Sequence, residues 1–331
     1  MKSSDFQDAI ELIDKSDNVL ITTHTRPDGD ACGCVVAFEE LLGSMGKKVQ
    51  TLFLSEIPQW YGFLFEQKPA MLDQDVSVEQ LSEAGFDLII LVDVNSNGQL
   101  PGLEDFLKQN SKKILIVDHH ETSDGLGDVE LVDSTAAATG LIVLDLFRDV
   151  GWEITEKIAT ALFVAVATDT GWFRFRNTDQ RVFRSCVQLI DAGADPPKLF
   201  RQLYMNITPE RFKLMTAAAN SAQLHFNGRL ATQQLTRADF ERTGASYADT
   251  ENVIDQCRRI AGVEVAVLLV ELSDGRVKLS LRSTGAVDVS EIAAMFGGGG
   301  HKMAAGATLD GPVEKARQII CERIGKALGA V

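Results

Sequence analysis

The chain has no apolar run approaching the roughly 20 residues that a membrane-spanning helix needs, so a helical membrane protein is excluded. Cysteine is scarce: Cys32, Cys34, Cys186, Cys257 and Cys321 are odd in number and scattered, which argues against a disulfide framework and fits a reducing compartment. Cys32 and Cys34 form a C-x-C pair, but no second pair completes a structural zinc site, and they read as small fillers beneath a helix. Met1-Lys2-Ser3-Ser4-Asp5 is polar and unlike a secretory signal, so a cytoplasmic location is expected. Internal repeats and low-complexity tracts are absent. Two nucleotide-binding signatures are missing as well. Residues 18–46 contain no Gly-x-Gly-x-x-Gly, which speaks against a nicotinamide cofactor, and the glycine run at 297–300 lacks the Gly-Lys-[Ser/Thr] ending of a P-loop.

Positive charge is also short. The net charge is −15, and residues 1–210 carry 17 Lys+Arg against 34 Asp+Glu, whereas residues 211–331 carry 15 against 13. An acidic body repels long DNA or RNA, whose binding needs a basic surface. An anionic substrate must therefore be small, and be met by local cations and metals.

What is present is the pattern of a soluble α/β protein. Hydrophobic residues make up 45% and charged residues 24%, and 331 residues exceed one small core and suggest two domains. Strands are predicted at Val19–Thr23, Lys48–Leu54, Asp87–Asp93, Lys113–Asp118 and Val129–Asp133. Helices are predicted at 4–15, 32–45, 136–150, 155–168 and 179–192. Strands separated by helices imply a doubly wound, mainly parallel sheet covered on both faces, over residues 1–192. Gly193, Pro196 and Pro197 mark residues 193–209 as a linker, with a short apolar helix expected around Leu199 to Met205. Residues 210–331 then read as a smaller α+β domain, with strands at 230–235, 263–272, 276–282 and 304–309 and helices at 210–222, 247–259, 289–295 and 313–328. Ser273-Asp274-Gly275 is a hairpin signal between two of these strands.

Acids and imidazoles collect at the strand ends. His24-x-x-x-Asp28-x-Asp30 follows the first strand, Asp93 ends the third, Asp118-His119-His120 ends the fourth, and Asp169 follows an alanine-rich helix. Turn chemistry alone accounts for Asp28 and Asp30 but leaves His24 unexplained. Of five histidines, three lie at these strand ends and a fourth, His301, follows Gly297-Gly298-Gly299-Gly300; only His225 lacks such a context. Mixed Asp and His donors without cysteine suit Mn²⁺, Zn²⁺ or Fe²⁺. Two such ions about 3.5–4 Å apart form the arrangement used for phosphoryl hydrolysis, with Asp93, on a central strand, as the natural shared carboxylate. The glycine run offers unobstructed backbone N–H groups as an anion-binding nest, and Arg282 could add a bidentate phosphate contact. Trp172-Phe173-Arg174-Phe175-Arg176 can be read as base-stacking or as core aromatics with exposed arginines, and the second reading is preferred.

Together these motifs resemble the DHH phosphoesterase family over nearly the whole chain. His24-Thr-Arg-Pro-Asp28-Gly-Asp30-Ala-Cys-Gly33, Val92-Asp93, Asp118-His119-His120 and Ala167-Thr168-Asp169-Thr170-Gly171 are similar to its four motifs. Gly297–His301 with Ala304-Ala305-Gly306 is similar to its associated C-terminal domain. The resemblance implies a catalytic metal-binding domain, a C-terminal substrate-binding domain, and an active site in the cleft between them holding two divalent ions, usually Mn²⁺. It implies that His24, Asp28 and Asp93 hold one ion and that Asp30, Asp93, His119 and Asp169 hold the other. His120 would meet the scissile phosphate or leaving oxygen, and Asp118 would orient it. Arg282, Gly299, Gly300 and His301 would hold the substrate's terminal phosphate. Val94-Asn95-Ser96-Asn97 departs from the family's usual run, which puts a substrate contact in that loop in doubt.

The implied activity is hydrolysis of very short oligonucleotides to 5′-mononucleotides, with 3′-phosphoadenosine 5′-phosphate a second substrate in some members. The alternatives are a hydrolase of linear or cyclic dinucleotides and, from another class, a non-catalytic nucleotide-binding module, which predicts a missing metal ligand. The expected partners are a short oligonucleotide or nucleotide, with no long nucleic acid, no membrane, and a homodimer as a possible assembly.

Overall fold

Six strands build the sheet of the first unit: β1 (Asn18–Thr23), β2 (Lys48–Phe53), β3 (Ala70–Met71), β4 (Leu88–Val92), β5 (Lys113–Asp118) and β6 (Val129–Val132). In this computed structural model, which describes residues 3–109 and 112–330, their order is β3-β2-β1-β4-β5-β6 and every pair is parallel. Met1 and Lys2, part of the stretch read against a leader, lie outside the described residues. β4 shows why an unbroken apolar run was needed. All five of its residues are buried; Leu88, Ile90 and Val92 join one core, while Ile89 and Leu91 join another on the opposite face. The doubly wound expectation is borne out. Winding reverses between β1 and β4, and sheets of this kind bind ligands outside the carboxyl ends of the strands at that point.

Three helices, Gly29–Ser44, Thr139–Val150 and Glu156–Asp169, supply most of one core. They cross closely because the meeting residues are small: a Cβ on Gly33 would stand 2.3 Å from the Ala161 carbonyl oxygen. Cys32 and Cys34 are buried in this packing, as fillers should be. Residues 193–209, read as a linker, hold a helix at Pro196–Tyr204 whose Leu199 joins the same core. The prolines open that helix, where a missing N–H costs nothing, and Asp195 caps it. The chain divides into units Met1–Asn206 and Ile207–Val331.

The second unit is a mixed sheet of β7 (Gln223–His225), β8 (Leu230–Leu235), β9 (Val265–Glu271), β10 (Val277–Ser283), β11 (Gly299–His301) and β12 (Ala304–Leu309). The order is β11-β12-β10-β9-β8-β7, antiparallel except for β8 with β9, with a separate core on each face. The smaller α+β fold is as expected, and β9–β10 form the anticipated hairpin. Two local readings differ. The helix expected at 247–259 is a 3₁₀ turn, Tyr247–Thr250, and a short helix, Asp255–Arg258, with left-handed Asn252 (φ 59°) between them. The glycine run, read as an anion-binding nest, pairs at residues 299–301 with β12 as an edge strand. Missing side chains permit this, since a Cβ on Gly298 would meet the Gly306 carbonyl oxygen at 2.1 Å, and one on Gly300 the Ala304 carbonyl oxygen at 2.5 Å. No helix among the described residues is long and apolar enough to cross a membrane.

Candidate metal centre and active site

The carboxyl ends of β1 and β4 deliver His24 and Asp93, that of β5 delivers Asp118, His119 and His120, one helix start delivers Asp28 and Asp30, and one helix end delivers Asp169. His24 follows β1. Its Nδ1 lies 2.9 Å from the Thr25 carbonyl, which can only accept, so the proton sits on Nδ1 and Nε2 is left as a donor atom for a cation. That Nε2 faces Asp93 Oδ2 at 3.5 Å and Asp28 Oδ1 at 4.0 Å. Asp28 caps the helix Gly29–Ser44, accepting the N–H groups of Asp30 and Ala31 on Oδ1.

His119, after β5, repeats the arrangement. Nδ1 donates to the Ala136 carbonyl at 3.1 Å, and Nε2 points to Asp169 Oδ2 (3.5 Å), Asp93 Oδ1 (3.6 Å) and Asp30 Oδ2 (3.9 Å). Asp30 is fully buried and accepts the N–H groups of Thr139 (2.6 Å) and Gly140 (2.9 Å) at the start of the helix Thr139–Val150. Asp93 leaves β4 in the left-handed region at φ 59°, a strain of about 1–3 kcal/mol for a side-chain-bearing residue. Asp169 closes the helix Glu156–Asp169 at its negative end, where a carboxylate receives no help from the helix. His120 is bound differently: its Nδ1–H donates to Asp118 Oδ1 at 2.7 Å, while Asp118 also accepts the N–H of His119 at 2.8 Å. Asp118 is fully buried, and its Oδ2 finds no partner.

These side chains form three donor groups with atoms within 4.8 Å of one another: His24, Asp28 and Asp93; Asp30, His119 and Asp169; and Asp93, His119 and His120. Asp93 belongs to two of them. Among the described residues no Lys or Arg pairs with these acids; their only cationic partners are the three imidazoles. Burial and the Asp93 charge push the Asp30 carboxyl far above its ordinary range, and burial does the same to Asp93 and Asp169. Burial alone would lower His24, but the hydrogen bond and charge of Asp93 outweigh it and raise it to about 9. The Asp118 hydrogen bond leads in lifting His120 to about 9. A cluster that must take up protons to tolerate its own charge, with two Nε2 atoms already freed, fits divalent cations.

The remaining candidates lie in the second unit. Arg282 and His301 both pair in register with Ala304 on β12, so the three stand on one rung and one face of that sheet. Ala304 leaves space between the two cationic or polar side chains. Gly299 and Gly300 are on the same exposed edge strand as His301. Trp172 and Phe173 pack against the core, as the core-aromatic reading expects, whereas Phe175 is exposed, with Arg174 over its ring. Asn95, in the loop that departs from the family pattern, is buried and donates to Glu130.

The sequence reading missed Thr139, whose hydroxyl donates to Asp93 Oδ1 at 2.9 Å, and the two N–H groups on Asp30. The signal available was Ala136-Ala-Ala-Thr139-Gly140, a polar residue opening an apolar helix.

The chain is similar to known proteins over most of its length. The DHH family, N-terminal domain, matches residues 18–166, and the DHHA1 domain matches residues 227–328. The chain is 32% identical to the bifunctional oligoribonuclease and PAP phosphatase NrnA of Thermus thermophilus, over 94% of this chain and 90% of that protein. It is 24% identical to the protein of the same name from Bacillus subtilis, over 91% and 92%. Among solved structures, an exopolyphosphatase-related protein from Bacteroides fragilis shares the fold with TM-score 0.90 at 22% identity, covering 99% of this chain and 96% of that one.

Proposed function

The chain belongs to the DHH family of phosphoesterases, and we propose that it hydrolyses very short oligonucleotides to 5′-mononucleotides and also dephosphorylates 3′-phosphoadenosine 5′-phosphate. Relatives named oligoribonuclease and PAP phosphatase, aligned over nine-tenths of this chain, support the substrate class. The observation that carries the reading is the pair of donor groups sharing Asp93, each with a histidine Nε2 released by an Nδ1–H bond to a backbone carbonyl. In this reading His24, Asp28 and Asp93 hold one Mn²⁺, and Asp30, Asp93, His119 and Asp169 hold a second. Divalent ions there supply charge that stabilises a phosphoryl transition state and activates water.

The chain's own groups do the rest. Asp93 keeps the two halves of the site in register, with Oδ2 toward His24 and Oδ1 toward His119. His120, half-exposed and fixed by Asp118 through Nδ1, presents Nε2 as the proton donor to the leaving 3′-oxygen. On the second unit, Arg282, His301 and the side-chain-free edge strand at Gly299 and Gly300 hold the substrate's terminal phosphate. The acidic first unit disfavours long strands.

Incubation of the purified chain with Mn²⁺ and, separately, a labelled dinucleotide, a labelled 24-mer and 3′-phosphoadenosine 5′-phosphate tests this. Rapid cleavage of the dinucleotide with little of the 24-mer is expected, and an intact dinucleotide would refute it. A second reading, hydrolysis of cyclic dinucleotides, is favoured by 28% identity over 95% of this chain to a cyclic-di-AMP phosphodiesterase of Geobacillus thermodenitrificans, though only 48% of that protein is covered. Faster turnover of the cyclic than of the linear dinucleotide would select it.

A further inference from the structure

We propose that Thr139 is a positioning residue that sets the orientation of the Asp93 carboxylate, and so the affinity of the site for divalent ions. The inference rests on the metal reading above. Three other threonines near this site spend their hydroxyls on backbone carbonyls: Thr168 and Thr170 on those of Val164 and Val166, four residues back, and Thr23 on that of Val92 across the sheet. Thr139 does not. It is fully buried, and its hydroxyl reaches Asp93 Oδ1, 46 residues away in sequence, at 2.9 Å. Its N–H meanwhile donates to Asp30 Oδ2 at 2.6 Å. One residue thus holds an oxygen of each of two buried acids of the site.

The torsion that needs holding is specific. Rotation of an aspartate carboxylate about its last bond is only weakly restrained by the side chain itself. Here the two oxygens of Asp93 have different jobs, since Oδ1 lies 3.6 Å from His119 Nε2 and Oδ2 lies 3.5 Å from His24 Nε2. A hydroxyl donating to Oδ1 selects the rotation that directs one oxygen to each half of the site. The helix start is arranged for this. Its N-cap residue, Ala138, has no side-chain cap, so the helix's first N–H groups go to Asp30.

Partners that orient ligating carboxylates typically contribute about 10–100-fold to metal affinity. Mn²⁺ binding to the full-length, ion-free chain, followed by the electron paramagnetic resonance of free Mn²⁺, tests the inference on Thr139→Val, Thr139→Ala and Thr139→Ser. Val and Ala should weaken Mn²⁺ binding by about 10–100-fold and to a similar degree, although only Val preserves the volume. Ser, which keeps the hydroxyl, should stay within a few-fold of wild type. The ion-free melting temperatures are read alongside. The inference is overturned if Val binds Mn²⁺ as wild type does, if Ser falls as far as Val, or if lost affinity tracks lost ion-free stability. A wild-type chain that binds no Mn²⁺ overturns the metal reading and this inference with it, whereas normal wild-type binding with an unaffected Val variant overturns this inference alone.

Discussion

Replacing Asp118 by Asn changes one atom of a fully buried side chain that touches none of the proposed substrate. Its Oδ1 accepts the Nδ1–H of His120 at 2.7 Å and the backbone N–H groups of His119 and His120 at 2.8 and 3.3 Å. That hydrogen bond is the foremost cause of the His120 imidazole standing at about 9; burial opposes it, and the charges of Asp93 and Asp169 add to it. Asn keeps an acceptor but removes the carboxylate charge that strengthens this bond and itself favours the imidazolium, so the His120 midpoint should move down from about 9. A lost general acid typically costs about 10²–10⁴ in turnover, so kcat on a dinucleotide should decline and its alkaline limb should move to lower pH. Ring-proton NMR titration of the ion-free chain reads the His120 midpoint directly, and a pH–rate profile with saturating Mn²⁺ reads the consequence. An unchanged His120 midpoint near 9 in Asp118→Asn, with kcat within a few-fold of wild type, would refute the reasoning.

Two further predictions follow from the same geometry. His119→Ala removes the Nε2 that faces Asp30, Asp93 and Asp169, so it should lose bound Mn²⁺ after dialysis, whereas His120→Ala should keep its Mn²⁺ and lose about 10²–10⁴ in kcat; equal metal loss in both would contradict the division of roles. The ion-free chain should become less stable as pH rises from about 5 to 9. His24 and His120 stand at about 9, and Asp30, Asp93 and Asp169 are raised, so over this range the folded chain holds protons that the unfolded chain has released. The His24 contribution, about 3 kcal/mol, is complete below the unfolded value near 6.5 and is lost through 9. Urea unfolding at pH 5, 7 and 9 should show this decline without Mn²⁺ and a growing stabilisation by Mn²⁺ toward high pH; ion-free stability that rises with pH would contradict it.

The parts legible in the sequence were those set by local pattern. Buried parallel strands such as Leu88–Val92 must be apolar on both faces, and that leaves an unbroken run that few other structures need. Acids and imidazoles at the ends of such runs then fall at one edge of the sheet. The failures share a cause, which is that tertiary partners decided them. Gly299–His301 becomes a strand only because β12 lies alongside. Thr139 was invisible for the same reason: its role is defined by Asp30 and Asp93, 109 and 46 residues away.

The charge distribution explains why protons and cations must compete for this site. Several carboxylates converge with Asp30 and Asp93 almost wholly buried, and each buried charge costs several kcal/mol in lost solvation. The helix starts at Gly29 and Thr139 offset part of that through N–H donation to Asp28 and Asp30, but a helix end contributes only about 0.3–1 kcal/mol, up to about 2 in favourable geometry. Asp169 sits at a helix's negative end and gains nothing. No lysine or arginine among the described residues supplies the difference. Without ions the only remaining compensation is proton uptake, which is why Asp30, Asp93, Asp169 and His24 are shifted upward together. A divalent ion removes the need for those protons, so its binding must release them, and Mn²⁺ affinity must rise with pH over the range in which the cluster titrates. Proton release measured by isothermal titration in buffers of different ionisation enthalpy should therefore be positive at pH 7 and shrink toward pH 9; Mn²⁺ binding without proton release would mean that the acids are already ionised and that the charge is balanced some other way.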